Sequence, residues 1–404
     1  MINVSVLGYG TVGSGVVEVL KRNQKSIDGR VGEEIRVKSV LDLRDFPGDP
    51  IQDSIVHDFS EIENDESVSI VVETMGGLHP AYEFVKASLE AGKTVCTSNK
   101  ELVAAYGPEL LETAKKHNVS FLFEASVGGG IPIIRPLNTA LQSEQIEEIT
   151  GILNGTTNYI LTKMTNEGSD FDTVLKDAQD KGYAERNPEA DVEGYDACRK
   201  IAILTSLAYG KTVDYNDIYT EGITKITDRD IAYAKKLNAK VKIFGSSKSV
   251  NGKVQAMVAP KMIDAGSPLY SVDDVFNAIL VKGNTLGEVM FYGKGAGSLP
   301  TASAVVSDVI DAAKHIGKNI RTVWADEKLE LASMDDVESR FFVRVSGDAG
   351  ANAARVKELF GDVQVVDAGF ADEYAFVTGA VSEKAFADAK EAMGNVVNRI
   401  RVDF

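Results

Sequence analysis

Asp196 and Lys200, four residues apart, are the clearest candidates for chemistry in this 404-residue sequence. At that spacing both side chains lie on one face of a helix, and the apolar run Ile201–Leu204 indicates that the helix is at least half buried. A lysine at such an edge can act as general acid or base while the carboxylate holds it in place. Glu185, in the acid-rich loop before the helix, can fold towards the same region. A surface salt bridge, worth under about 1 kcal/mol, is the competing interpretation.

The N-terminal residues contain a second candidate, a dinucleotide-binding loop. The apolar strand Ile2–Leu7 precedes the sequence GYGTVG, and an amphipathic helix follows it. In this motif Gly8 allows the tight turn, Gly10 lets backbone approach a pyrophosphate, and Gly13 lets the helix pack close to the strand. The helix N-terminus favours negative charge. The pattern predicts an NAD(P) site, with a glycine-rich turn that binds nothing as the alternative.

The end of the second apolar run leaves the choice of dinucleotide open. Asp42 could accept a hydrogen bond from the ribose 2′-hydroxyl of NAD, whereas Arg44 could pair with the 2′-phosphate of NADP. Because both types of residue are present, the sequence predicts NADP or NAD without selecting one.

Three further loops follow strand-like runs and could approach a ligand. Ser98 and Lys100 follow the predicted strand Thr94–Thr97, and ligands of open parallel sheets bind at the carboxyl ends of strands; a solvated loop lysine is the alternative. Glu124 opens the run EASVGGG, whose carboxylate and carbonyl oxygens could bind a hard cation, or which could be an ordinary turn. Gly297 ends GKGAG, a loop suited to close approach.

Composition and charge exclude several classes of protein. A net charge of −17 repels nucleic acid and anionic lipid, and no apolar run approaches the roughly 20 residues that cross a bilayer. The N-terminus lacks the basic region of a signal peptide, so we expect a cytoplasmic protein. Cys96 and Cys198 are too far apart for a disulfide framework, and we expect both to be buried thiols. None of the four histidines lies in a metal or catalytic motif.

The order of elements predicts an α/β protein. Short apolar runs alternate with amphipathic ones in the N-terminal third, which is typical of a doubly wound parallel sheet of the Rossmann type. Predicted helices include Pro108–His117 and Val192–Tyr209, and strands return between Val241 and Tyr292. Antiparallel strands with helices packed on them are expected there, which indicates an α+β substrate domain. The stretch Arg340–Phe404 has the β-α-β-β-α-β order of a ferredoxin-like module. The predicted bounds are 1–128 plus 300–321 for the dinucleotide domain, 129–299 for the substrate domain, 322–338 for a linker and 339–404 for the C-terminal module.

Six motifs in this order resemble those of homoserine dehydrogenase: GYGTVGSGV, TSNKELVA, EASVGGGIPI, GILNGTTNYILTKM, DVEGYDACRKIAIL and GKGAGSLPTA. The resemblance implies the reversible NAD(P)-dependent oxidation of L-homoserine to L-aspartate 4-semialdehyde, in the biosynthesis of threonine, methionine and isoleucine. The C-terminal module resembles an ACT domain by its order of elements, which implies an amino-acid effector such as threonine. A homodimer or homotetramer is implied as well, with the substrate domain also serving for dimerisation.

The resemblance also implies roles for individual residues. Lys200 would transfer the hydroxyl proton, and Lys100 would lie beside the nicotinamide and the substrate. Glu185 and Asp196 would bind homoserine, and Asp191 would support the same pocket. The implied cofactor-binding residues are Gly8, Gly10, Thr11, Val12, Gly13, Arg44, Ser98, Lys100, Gly182 and Gly297. The implied structural monovalent cation (Na⁺) would be bound by Glu124 and the backbone of Val127, Gly129 and Ile131.

Two other classes of function stay open at this point. The first is another NAD(P)-dependent dehydrogenase of a small amino or hydroxy acid, which a panel of substrates would distinguish. The second is a dinucleotide-binding amino-acid sensor; a transcriptional regulator of that kind would need a basic face or a helix-turn-helix, and neither is evident. A purely structural protein would leave the glycine loops unexplained.

Overall fold

The computed structural model describes residues 1–404 and divides into two compact units. The first unit comprises Met1–Gln145, Ala202–Asp214 and Phe291–Leu329. The second unit comprises Ile146–Ile201, Tyr215–Met290 and Glu330–Phe404. Each unit contains one large sheet.

The strands are β1 (Ile2–Leu7), β2 (Ile35–Leu41), β3 (Ile55–Val56), β4 (Val68–Glu73), β5 (Thr94–Thr97), β6 (Phe121–Leu122), β7 (Ile146–Ile152), β8 (Lys211–Thr212), β9 (Tyr219–Thr220), β10 (Lys240–Val250), β11 (Lys253–Ile263), β12 (Phe276–Gly283), β13 (Gly287–Lys294), β14 (Ala325–Lys328), β15 (Glu338–Ser346), β16 (Gln364–Val366), β17 (Glu373–Val377), β18 (Val381–Ser382) and β19 (Val396–Asp403). The helices are α1 (Thr11–Val31), α2 (Ser60–Glu63), α3 (Ala81–Glu90), α4 (Lys100–Lys116), α5 (Ile134–Asn138), α6 (Gly155–Glu167), α7 (Phe171–Asp180), α8 (Glu189–Val192), α9 (Tyr195–Tyr209), α10 (Asp228–Lys236), α11 (Ser298–Lys314), α12 (Ala349–Phe360) and α13 (Glu383–Met393). None of these helices combines the length and the apolar character that crossing a membrane requires.

The first unit contains the predicted parallel sheet. Its strand order is β3-β2-β1-β4-β5-β6, and every pair of neighbours is parallel. Ile70, Val71 and Val72 in the middle of β4 are all fully buried, as expected when helices cover both faces of a sheet. The chain leaves β1 towards β2 on one side and returns at β4 on the other, so the carboxyl end of β1 is the topological switch point where such sheets bind ligands.

The second unit contains a mixed sheet in the order β13-β12-β7-β10-β11-β19-β15-β17-β16. β7, β10, β11 and β12 form antiparallel pairs, which confirms the antiparallel strands expected after Val241. The C-terminal segment has the predicted β-α-β-β-α-β series, with the two-residue strand β18 in addition. Its last strand, β19, pairs in parallel with β11 through Lys261–Ile263, so this segment continues the central sheet.

Two predicted helices have different bounds in the structure. α4 begins at Lys100 rather than Pro108, because the Asn99 side chain caps it and the helix tolerates the proline in its interior. The predicted helix Val192–Tyr209 is two helices, α8 and α9, because Gly194 adopts a φ of +84° between them. The charged stretch expected as a linker includes β14, which pairs with β8. Both cysteines are buried, as expected.

Candidate active site

The loop GYGTVG joins β1 to α1 at the switch point of the parallel sheet. Gly8 has a φ of +94°, and a Cβ on Gly13 would lie 1.9 Å from Gly8 O. A Cβ on Gly10 would meet no protein atom within 4 Å, so the loop has open space at that point. Thr11 and Val12 begin α1 without a side-chain cap. The first N–H groups of the helix are therefore available to an anion such as a pyrophosphate.

Asp42 and Arg44, the two residues that could select the dinucleotide, bind each other. Arg44 Nε donates to Asp42 Oδ1 and Nη2 donates to Oδ2, both at 2.9 Å. The Tyr9 N–H in the glycine loop donates to the same carboxylate at 2.9 Å. The guanidinium lowers the pKa of Asp42 in spite of the carboxylate's partial burial. Because the Arg44 side chain is 63% exposed, its charge stays accessible at the edge of the loop.

Glu73, at the end of β4, is a buried carboxylate that the sequence analysis did not single out. Its Oε1 accepts hydrogen bonds from Met75 N at 2.7 Å and Gly76 N at 3.2 Å, and its Oε2 accepts one from the Thr97 hydroxyl. Burial raises the pKa of Glu73. The residue ties the loop after β4 to the end of β5. An acid at the carboxyl end of a buried strand was the signal that could have revealed it.

Ser98 and Lys100 lie at the carboxyl edge of the parallel sheet, where the sequence predicted them. The Asn99 side chain orders this turn, since its Oδ1 accepts from Leu102 N at 3.1 Å and its Nδ2 donates to Gly77 O at 2.6 Å. Lys100 is consequently the first residue of α4, and both it and Ser98 are half-buried.

Glu124 is buried, and backbone N–H groups donate to both of its carboxylate oxygens. Oε1 accepts from Ile133 N and Ile134 N at 2.6 and 2.8 Å, and Oε2 accepts from Arg135 N at 2.7 Å. No backbone N–H donates to the carbonyl oxygens of Val127, Gly129 or Ile131. There is no cluster of three or more His, Cys, Asp or Glu side chains suited to a metal ion. A cation in this loop would therefore depend on those carbonyl oxygens.

Gly297 is the residue immediately before α11, and it lies beside the glycine loop of the same unit. The hydroxyl of the next residue, Ser298, donates to Thr11 O at 2.6 Å. A Cβ on Gly15 would come within 3.0 Å of both Ser298 Oγ and Ala302 Cβ, so α1 and α11 pack closely. The residues that follow the GKGAG motif thus help to hold the start of α1.

Lys200 and Asp196 form a buried ion pair on α9 in the second unit. Lys200 Nζ lies 2.8 Å from Asp196 Oδ2, and the two side chains are 11% and 9% exposed. The same ammonium donates to Leu153 O at 2.7 Å. The interpretation as a surface salt bridge is therefore wrong, because α9 turns this face towards the end of β7 and away from solvent. Two of the three N–H directions of Lys200 are engaged, and the third can meet a substrate.

Asn154 connects the pair to Asp191 and was missed in the sequence analysis. Its Nδ2 donates to Asp191 Oδ1 at 2.8 Å and to Asp196 Oδ2 at 2.9 Å. Its Oδ1 accepts from Thr157 N at 2.9 Å and so caps α6. One amide thus holds two carboxylates together. The sequence shows that Asn154 could cap a helix after a buried strand. Its bridge between the two carboxylates could not be predicted, because it depends on contacts that form only in the folded protein.

Glu185 is not joined to this cluster by a hydrogen bond of its carboxylate. It lies exposed in the loop between α7 and α8, where Gln179 Nε2 donates to its carbonyl oxygen at 3.1 Å. Gly182 lies in the same loop with a φ of +73°, also exposed. The structure therefore brings together Asp191, Asp196 and Lys200. Glu185 and Gly182 lie on the loop that precedes α8.

A parallel sheet with a glycine loop at its switch point, together with a buried lysine–aspartate pair, indicates a dinucleotide-dependent oxidoreductase. The model of a family described as homoserine dehydrogenase matches residues 132–310, and that of its NAD-binding domain matches residues 8–124. The homoserine dehydrogenase of Synechocystis sp. is 40% identical, with 98% of this chain and 96% of that protein covered.

Solved structures give the same result. A homoserine dehydrogenase from Thiobacillus denitrificans superposes with a TM-score of 0.90 at 34% identity and covers 100% of this chain and 98% of its own. A hyperthermophilic archaeal homoserine dehydrogenase in complex with NADPH has a TM-score of 0.66 at 29% identity, with 80% and 99% covered. The chain belongs to the homoserine dehydrogenase family, whose members are NAD(P)-dependent oxidoreductases with homoserine and aspartate 4-semialdehyde as substrates.

Proposed function

We propose that Lys200 is the residue that moves the hydroxyl proton when this chain oxidises homoserine. The observation that carries the proposal is the position of its ammonium group, which Asp196 Oδ2 and Leu153 O hold at 2.8 and 2.7 Å. Two fixed contacts leave one direction for a substrate oxygen, which is the geometry that general acid–base catalysis requires.

In this mechanism neutral Lys200 accepts the proton of the homoserine hydroxyl as the carbinol carbon loses its hydride. When bound, NAD(P) supplies the hydride acceptor for that step. In the reverse direction the Lys200 ammonium donates its proton to the oxygen of the aldehyde. Asp196 keeps Nζ in place and stabilises the positive charge that develops on it.

Asp191 and Asp196 are proposed to bind homoserine, with Glu185 completing the site. Asn154 Nδ2 bridges these two carboxylates, and neighbouring carboxylate oxygens suit the substrate ammonium group. Glu185, exposed in its loop, would need to turn inwards when the substrate binds. This loop also includes Gly182, which we assign to the dinucleotide site because the resemblance to the family implies that role.

The glycine loop fits a dinucleotide, which we assign to the domain formed by residues 1–128 and 300–321. The space in front of Gly10 and the uncapped N-terminus of α1 suit the pyrophosphate. We propose that both NAD and NADP are accepted. Asp42 accepts a hydrogen bond from the ribose of NAD, and the exposed Arg44 pairs with the 2′-phosphate of NADP. The archaeal relative in complex with NADPH supports the second part.

A structural monovalent cation is proposed in the loop that begins at Glu124, with the Glu124 carboxylate and the backbone of Val127, Gly129 and Ile131 as its ligands. The buried carbonyl groups of Val127, Gly129 and Ile131 suit Na⁺ because no backbone N–H donates to them. The ion would stabilise the loop and take no part in proton transfer. A rise in melting temperature in NaCl compared with choline chloride would support the site.

The C-terminal segment 339–404 is proposed to be an ACT module that binds an amino-acid effector such as L-threonine. Its β-α-β-β-α-β series supports the assignment. We also propose a homodimer or homotetramer, since the edge strand β13 exposes Met290 and Tyr292. Light scattering with and without L-threonine tests both proposals. If threonine changes neither homoserine oxidation nor the mass, the effector proposal fails.

The catalytic proposal is tested by incubating the purified protein with L-homoserine and either NAD⁺ or NADP⁺ at mildly alkaline pH. We expect homoserine-dependent formation of reduced nicotinamide with both dinucleotides. L-Serine, L-threonine and 4-hydroxybutyrate serve as the comparison panel. Faster turnover of any of these than of homoserine would contradict the proposal.

A further inference from the structure

Residues Tyr219–Ile223 form a strip of chain between the C-terminal segment and the turn that joins Asp191 to Asp196. On one side of the strip, Arg399 Nη1 donates to both carboxylate oxygens of Glu221 at 2.8 and 2.6 Å, and Arg401 Nη1 donates to Oε2 at 2.9 Å. Both arginines belong to β19. The C-terminal segment is thus bound to the strip through the ion pairs of Glu221.

The Glu221 cluster is charged and largely removed from water. The side chains of Arg401, Arg399 and Glu221 are 1%, 17% and 22% exposed. Burial opposes ionisation of Glu221, but the two arginines outweigh it and lower the pKa of the carboxyl. Arg401 also binds Glu383, at 2.6 and 3.0 Å. Loss of the Glu221 charge would leave buried guanidinium groups only partly paired, which is costly.

The other side of the strip presses against the turn at Val192–Gly194, backbone to backbone. Ile223 N donates to Val192 O at 2.8 Å. A Cβ on Gly222 would lie 2.2 Å from Val192 O and 2.5 Å from the Cα of Glu193. Glu221 N donates to Val258 O in β11 at 2.8 Å. Because no side chain separates the two backbones, a shift of the strip must move the turn.

This turn sets the distance between the two carboxylates of the proposed homoserine site. Asp191 precedes it, and Gly194 N donates back to Asp191 O at 3.0 Å. Asp196 follows in the first turn of α9. The position of the turn therefore determines whether Asn154 can bridge Asp191 and Asp196.

We propose that Glu221 is a positioning residue for homoserine binding, and that its contacts with Arg399 and Arg401 couple the C-terminal segment to Asp191 and Asp196. The inference rests on the proposed role of these two carboxylates. It implies that loss of the contacts between Glu221 and the two arginines weakens homoserine binding before it affects the dinucleotide.

The test is steady-state kinetics of Glu221→Gln in the full-length protein. We expect the KM for homoserine to rise about fivefold, while kcat and the KM for the dinucleotide stay within about twofold. Glu221→Asp keeps the negative charge, so its KM for homoserine should be much closer to the parental value than that of Glu221→Gln. Should the Gln variant fail to fold, Arg399→Gln removes the two hydrogen bonds that Arg399 makes to Glu221 and should raise the KM for homoserine in the same way.

Arg344→Lys is the matched control. Arg344 lies in β15, is buried, and binds Asp230 and Glu373 at 2.8 and 3.0 Å, but it has no hydrogen bond to the strip. It should lower the melting temperature and leave the KM for homoserine unchanged. An equal rise in KM for this variant would overturn the inference.

Asp191→Asn separates failure of the inference from failure of the proposed function. If Asp191→Asn leaves the KM for homoserine unchanged, the proposed substrate role is wrong. If Asp191→Asn raises it and Glu221→Gln does not, the positioning role of Glu221 is wrong.

Discussion

Lys200 and Asp196 form an ion pair whose side chains are 11% and 9% exposed, whereas Lys181 and Asp177, at the same spacing, are 47% and 43% exposed. Both pairs are four residues apart within or at the end of a helix, so spacing does not distinguish them. The buried pair loses much more hydration, and such pairs often contribute little net stability. We infer that the pair is kept for its chemistry rather than for the stability of α9.

Asn154→Asp should damage homoserine binding without removing the helix cap. Aspartate can still accept the Thr157 N–H bond that begins α6, but it replaces the bridging amide with a third carboxylate beside Asp191 and Asp196. We expect the KM for homoserine to rise about tenfold or more and kcat to fall. Steady-state kinetics together with a thermal melt measure both effects. Unchanged KM at unchanged stability would show that the bridge is not functional.

Gly10→Ala and Gly13→Ala should affect different properties. A Cβ on Gly10 meets no protein atom within 4 Å, so this variant should fold normally and raise the KM for the dinucleotide about tenfold. A Cβ on Gly13 would overlap Gly8 O, so this variant should also lose about 2 kcal/mol or more of stability.

Gly29→Ala is the control for both glycine variants. It lies within α1 with open space around it and should stabilise the protein by up to about 1 kcal/mol with normal kinetics. A Gly10→Ala variant with the parental KM for the dinucleotide would contradict the site.

Arg44→Ala tests the selection of the dinucleotide. Removing the guanidinium takes away the partner for a 2′-phosphate and frees the Asp42 carboxylate for a ribose hydroxyl. We expect kcat/KM for NADP to fall about tenfold and that for NAD to change less than about threefold. Equal losses with the two dinucleotides would argue against the assignment.

Asp308 makes the free energy of unfolding of the protein depend on pH in a predictable way. Burial and the nearby charge of Glu124 raise the pKa of Asp308 to about 7, although Arg135 opposes the shift. Between about pH 4, where an unfolded aspartate loses its proton, and pH 7, the folded state holds a proton that the unfolded state has released. The stability contributed by this group is therefore lost as the pH rises through that window.

Denaturant unfolding of the parent and of Asp308→Asn from pH 5 to 8 measures this contribution. The free energy of unfolding of the parent, minus that of the variant, should fall with pH by up to about 1.4 kcal/mol per unit and level off above pH 7. A difference that is constant across the window would show that the buried carboxyl is ionised throughout.

The sequence predicts the parts of the site that depend on local geometry. The strand β1, the glycine loop and the start of α1 follow from a few neighbouring residues with strong conformational requirements, and all three are as expected. The spacing of Asp196 and Lys200 places them on one helical face for the same reason. Local pattern also predicts the C-terminal order of elements, because period-two and helical stretches alternate clearly there.

The parts that the sequence does not reveal depend on contacts between distant segments. Asn154 approaches Asp191 and Asp196 only when β7, α6 and α9 pack together. Glu221 meets Arg399 and Arg401 across some 180 residues of sequence. The burial that distinguishes Lys200 from Lys181 is likewise a tertiary property, since both stand four residues after an aspartate.

The most direct test of the account is the kcat of Lys200→Met for homoserine oxidation, measured beside Lys181→Met. Methionine keeps an apolar stem of the same length as that of lysine and lacks the ammonium group at its end. We predict that Lys200→Met lowers kcat about 10²- to 10⁴-fold with dinucleotide affinity preserved, and that Lys181→Met has the parental kcat. A Lys200→Met variant whose kcat stays within about threefold of the parent would contradict the central claim.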